Sequence, residues 1–203
     1  TVKPSGNEHE GGACGLTRAD YVRLVATIPT LQGTLPIREI QAEFRNRRLA
    51  FEGRLVGCTP DYAAMTRLSI DRGRWISDLD LDEERNHCVI AAETALRLFP
   101  GDNPLDKIVQ VDDAFYTIVG VMQPRASSAG IGGSLAAEDY SKDIYVPITT
   151  LWRRFGDMIV VTKPGQFLSD LVEISQISLQ VVDVEDVLET SEVVQATIDD
   201  THT

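Results

Sequence analysis

From Gly73 to Pro124 the chain changes its hydrophobic period in an unusual order. A Gly-Arg turn leads into an acidic stretch, a short apolar strand (Cys88 to Ala91) and a brief amphipathic helix closed by Phe99-Pro100-Gly101. Two strands follow, Ile108 to Val111 and Phe115 to Met122, with Asp112-Asp113 as the turn between them. Almost none of these residues is of a type that does chemistry. The segment therefore reads as a compact packing module and as a separate subdomain ending near Pro124.

The flanks are organised differently. Thr17-Arg18-Ala19-Asp20 has the form of a capping box, and Tyr21, Leu24, Val25 and Ile28 recur at helical spacing before Pro29, which predicts a helix burying that face. Leu31 to Gly57 reads as a strand pair, in which Glu39, Gln41 and Glu43 alternate with Ile40, Ala42 and Phe44. Its basic run, Arg45-Asn46-Arg47-Arg48, is expected at the exposed hairpin tip. Thr59 is expected to cap a short helix that has Pro60 in its first turn and runs to about Met65. Residues 125–143 are small, Gly- and Ser-rich and aperiodic, which predicts a long loop. Then come a strand at Ile144 to Pro147 and a helix from Ile148 to Phe155. A weaker strand spans Met158 to Thr162, with a Pro-Gly turn at 164–165 and a loop after it. An alternating strand through Ile177, Leu179 and Val181 and a closing helical region from Val184 to Ile198 complete the chain. The fold class is α+β, with two mixed α/β subdomains.

Composition narrows the function classes. Nineteen basic residues against thirty-one acidic ones leave a formal charge of −12, which opposes binding to nucleic acid or to an anionic lipid surface. No stretch approaches the roughly 18 consecutive apolar residues that cross a bilayer. The opening TVKPSGNEHEGGACG is polar, lacks Met and lacks an apolar signal core. The chain is accordingly expected to be soluble and to be a processed chain or a piece of a longer one. Cys14, Cys58 and Cys88 supply neither a disulfide framework nor a C-x-x-C pair. Cys88 reads as a small buried thiol, and a Cys14–Cys58 bridge in an oxidising compartment is left open.

The motifs of catalysis and metal binding are missing. His9, His87 and His202 form no metal-binding pair, and no G-x-S-x-G elbow occurs. Gly130-Ile131-Gly132-Gly133-Ser134 is followed by no Lys-Ser/Thr, so it reads as loop rather than phosphate cradle, and no Walker A lysine exists anywhere in the chain. Asp78 to Glu84 lacks the spacing of a calcium loop and reads as a solvated helix start. No catalytic, metal or cofactor residues are expected. Ile131 and Leu135, apolar residues in the long loop, are the candidate contacts for a partner or for the other protomer of a dimer.

Five short segments carry a family resemblance: Thr59-Pro60-Asp61-Tyr62, Gly73-Arg74-Trp75, Leu98-Phe99-Pro100, Asn103-Pro104-Leu105-Asp106-Lys107 and Tyr116-Thr117-Ile118-Val119-Gly120-Val121. In this order they resemble the extracytoplasmic, periplasmic core domain of MacB-type ABC transporter permases of the FtsX family. The resemblance implies an outer porter-like βαβ subdomain (17–72 with 141–203), an inserted sabre-like subdomain (73–140) and a flexible N-terminal tether (1–16). It also implies a domain held between membrane helices on the periplasmic or extracellular side of the cytoplasmic membrane, in a parent that is an integral membrane protein. The partners implied are a second copy of the permease, an ABC ATPase module acting through the membrane helices, and a periplasmic adaptor or other envelope protein. On this reading the domain transmits ATP-driven movement. The alternative is a stand-alone extracytoplasmic ligand-binding or sensor domain, recognisable by an apolar pocket with a few convergent polar groups; an enzyme comes third.

Overall fold

The structure, a computed structural model, describes residues 16–28, 31–124, 140–156, 158–163, 166–171, 173–181 and 186–199. The chain forms two compact units, one from residues 1–38 with 155–203 and the other from residues 39–154. The cuts expected at 72/73 and 140/141 both fall inside the second unit.

In the first unit, helix α1 (Arg18–Thr27) starts on the expected capping box: Asp20 N–H donates to Thr17 Oγ1 at 3.1 Å, and Thr17 N–H donates back to the Asp20 carboxylate at 2.8 Å. Leu24 and Ile28 are buried, but Val25 is exposed, so the buried stripe is narrower than the spacing predicts. Strand β1 (Leu31–Asn46) gives its first residues to this unit, and they pair antiparallel with the strand at Gln176–Val181, placing Pro36 opposite Ile177. Met158–Lys163 and Gln166–Leu171 form an antiparallel hairpin. The second of these strands stands where a loop was expected, and the Pro-Gly turn itself lies outside the described residues. The closing helix, Asp186–Asp199, packs against α1. Arg38 is fully buried and donates to the Gly156 carbonyl.

The second unit is a ring of strands. The remainder of β1 turns at Arg47-Arg48 into β2 (Leu49–Cys58), as the basic tip predicts. Helix α2 (Tyr62–Thr66) and strand β3 (Ile70–Gly73) follow. Next come helix α3 (Asp78–Asp82), strand β4 (His87–Ile90), helix α4 (Ala92–Leu98) and the strand pair β5 (Ile108–Val111) and β6 (Ala114–Met122). A 3₁₀ turn (Tyr140–Lys142), strand β7 (Asp143–Pro147) and helix α5 (Ile148–Phe155) close the order. The 3₁₀ turn and Asp143 shorten the expected loop at its C-terminal end. β2 pairs parallel with β7, β7 antiparallel with β4, β4 parallel with β6, β6 antiparallel with β5, and β5 returns antiparallel to β1 through Phe44 opposite Val111. Six strands thereby close on themselves, and β3 adds to the far end of β6. Closure leaves few open ladder edges. The fully buried residues Phe44, Leu55, Val89, Val111, Ile118 and Ile144 come from all six strands. The two strands read as a separate hairpin thus share one ring with strands of the module at 73–124.

Candidate functional site

The segments that carry the family resemblance meet in the second unit, and what they build there is turn architecture. Gly73 has φ +80°, and a Cβ on it would lie 2.2 Å from the Val119 carbonyl; the facing Gly120 would meet the Arg74 carbonyl at 2.2 Å. At Gly73 only glycine tolerates both the conformation and the approach; at Gly120 the approach alone excludes a side chain. The turn lets Arg74 N–H donate to Val119 O at 2.9 Å and sends Trp75 inward. Trp75 lies nearly parallel to Tyr62, with ring centroids 6.4 Å apart, and both lean on Tyr145 at 5.3 and 5.7 Å. The Asn103–Lys107 segment is held by Asp106 N–H donating to Ile118 O at 2.8 Å and by Ile118 N–H donating to Lys107 O at 2.9 Å.

Two polar nodes surround this cluster. In the first, Asp80 has no exposed side-chain surface. It accepts from the Ser77 backbone at 2.9 Å, the Ser77 hydroxyl at 2.8 Å, Arg74 Nη2 at 3.1 Å and His87 Nδ1 at 2.7 Å. Burial alone would raise its pKa, but the hydrogen bonds from Arg74, Ser77 and His87 outweigh it and hold the carboxyl well below the usual carboxylate range. The expected solvated helix start is corrected here: α3 forms, but Asp80 turns inward as the reciprocal partner of its N-cap, Ser77. The signal was present, because Ser77-x-x-Asp80 repeats the Thr17-x-x-Asp20 pattern. In the second node Arg54 clasps the fully buried Asp143 through Nη2 at 2.8 Å and Nε at 3.1 Å, and reaches Glu39 at 3.5 Å. Tyr145 donates its hydroxyl to Asp143 at 3.0 Å. Burial, then the Asp143 charge, push the Tyr145 phenol well above its ordinary value, so it stays a donor. Spacing could not reveal this node, because Arg54 and Asp143 are 89 positions apart.

Cys58 and Cys88 are free, fully buried thiols whose pKa burial pushes far up, which leaves them inert. Among the described residues no group of three or more His, Cys, Asp or Glu side chains could hold a metal. Thr59 does not cap α2; Asp61 occupies that position without a side-chain cap bond. Ile131, Leu135 and Cys14 lie outside the described residues. One concave feature stands out in this unit, a cavity of about 370 Å³ between the α2–β3 connection, the start of α4 and the end of β6.

A mixed α/β domain whose motif residues make tight turns and buried clasps is the class defined by this fold and site. The chain belongs to the MacB-like periplasmic core domain family, which matches residues 1–196. It is 21% identical over 116 residues to the pyoverdine export ATP-binding/permease protein PvdT of Pseudomonas aeruginosa, covering 57% of this chain and 18% of that protein. It is 26% identical over 98 residues to the macrolide export ATP-binding/permease protein MacB of Chlorobaculum tepidum, covering 48% of this chain and 14% of that one. The chain thus spans less than a fifth of the length of either relative. Its fold is similar to the extracellular domain of the noncanonic ABC-type transporter YknZ from Gram-positive bacteria, with TM-score 0.71 and 19% identity over 92% of this chain and 84% of that one. The periplasmic region of MacB from Actinobacillus actinomycetemcomitans follows at TM-score 0.67 and 17% identity, over 93% and 75%. No helix among the described residues is long and apolar enough to cross a membrane.

Proposed function

We propose that the chain is the extracytoplasmic part of an ABC transporter permease and that it works as a mechanical element. ATP-driven movement of membrane helices would be carried through stiff α/β bodies to an envelope partner, with a second copy of the permease beside it. The observation that carries this reading is the family match over residues 1–196. The names of the curated relatives support it, since both are export ATP-binding/permease proteins. The closed strand ring and the buried clasps at Asp80 and Asp143 suit a body that must move without deforming. In this proposal the porter-like part comprises 17–72 with 141–203, and the sabre-like part 73–140.

Ile131 and Leu135 are the proposed partner contacts. Ile131→Asp with Leu135→Asp, made in the full parent permease, should weaken capture of the envelope partner at least about tenfold while leaving ATP hydrolysis by the parent unchanged; undiminished capture rejects the contact. The parent reading frame tests the wider proposal. A spanning helix just upstream of Thr1 and three downstream of Thr203 are expected, and a secretory leader followed by a stop codon after Thr203 would overturn it.

A further inference from the structure

The cavity of the second unit combines an apolar lining with an exposed positive charge, Arg67. Its volume, about 370 Å³, lies within the roughly 300–1,000 Å³ typical of small-ligand sites. Ala91, Met122 and Tyr145, all nearly fully buried, form part of its wall, and Leu96, 71% exposed, stands at its side. Two charged residues line it, and they differ in state. Glu93 is ion-paired with Arg97 one helical turn on, so its charge is already answered. The Arg67 guanidinium has no hydrogen bond or ion pair among the described residues. Its backbone is held in the left-handed region, φ 56°, at the C-cap of α2, where its N–H donates to the carbonyls of Ala63 and Ala64. That conformation fixes the direction in which the side chain leaves the backbone. Arg67 is exposed, so a ligand that carries an anion and an apolar body together pairs with it while filling the apolar hollow, against the general repulsion of anions by a chain of formal charge −12.

We propose that this cavity binds a small amphipathic carboxylate, its apolar tail against Ala91, Met122 and Tyr145 and its carboxylate on Arg67. The proposal is independent of the mechanical reading, because a ligand site can exist in either a transmitting or a sensing domain. Decanoate is the probe, with decanol as its uncharged counterpart, titrated calorimetrically into the chain. Saturable one-to-one binding of decanoate is expected. Arg67→Ala should weaken decanoate at least about tenfold, equivalent to about 1.4 kcal/mol, and leave decanol unchanged. Ala92→Trp, which fills the hollow from the start of α4, should abolish both, with an unchanged melting temperature as the check on folding. As a readout that needs no variant, the Met122 methyl resonance should shift with decanoate. Non-saturable uptake, equal decanoate affinity in Arg67→Ala, or a Met122 methyl that does not respond would each overturn the proposal.

Discussion

Asp80 shows how much one carboxylate decides. It is fully buried, yet it accepts from Arg74, His87 and both donors of Ser77, so its charge is stabilised by directed hydrogen bonds that burial alone would not provide. Asp80→Asn keeps the shape but removes the charge and turns one acceptor into a donor facing Arg74. A loss of about 2–4 kcal/mol at neutral pH is expected in urea unfolding. The pH dependence has a definite sign. The folded pKa lies below the unfolded value of about 3.9, so the contribution is complete above about pH 5 and is lost as pH falls below about 4 toward the folded value. Wild type and Asp80→Asn should therefore converge in stability as the pH is lowered through that window, and a gap that stays constant would reject the account. Asp102, whose carboxyl is also lowered, by exposed Lys107, should give no comparable effect, because solvent screens that pair.

At the scale of elements, the ring is closed where β5 meets β1, and Asp112 is the fastener. Read as a turn residue, Asp112 does adopt φ 48° between β5 and β6, but its N–H also donates to Glu43 O and its carboxylate accepts from Glu43 N–H, both at 2.9 Å. Asp112→Ala should lower stability by about 1 kcal/mol and raise amide exchange at Glu43 more than at Cys88 or Val89 in the ring interior; uniform exchange would contradict a local fastener. The elements themselves were largely legible. Thr17-x-x-Asp20 marked α1, Phe99-Pro100-Gly101 closed α4, and Asp112-Asp113 separated β5 from β6, because caps, breakers and turns are local chemistry. Gln166–Leu171 has no clean alternation that would mark a strand in sequence, and it gains its order from the hairpin partner at Met158–Lys163. Val25 shares the helical repeat of Leu24 and Ile28 but not their burial, because a repeat states which residues align and not how wide a stripe the neighbours cover.

Over the whole molecule, what sequence could not show was pairing between distant segments. Nothing local in Phe44 announces Val111, nothing in Leu55 announces Ile144, and the Arg54–Asp143 clasp and the cavity beside Arg67 exist only once those pairings have formed. Family resemblance supplied the class through Gly73, Trp75 and Gly120, whose demands are steric and therefore written in residue type. Two divisions of the chain now make opposite predictions. A fragment of residues 39–154 contains all the ring strands apart from the first part of β1, whereas residues 73–140 lack β1, β2 and β7, which interrupts the ring at two junctions and exposes ladder edges along β4 and β5. Expressed separately, 39–154 should unfold cooperatively and give dispersed amide resonances, with Trp75 in the asymmetric packing that produces a near-ultraviolet dichroism signal. Residues 73–140 should show neither, because the apolar faces of Val89, Val111 and Ile118 are then left without the strands that bury them. A cooperative transition in 73–140 of the same sharpness would instead place the folding boundary at residue 72 and make the ring a consequence of docking between independently stable parts.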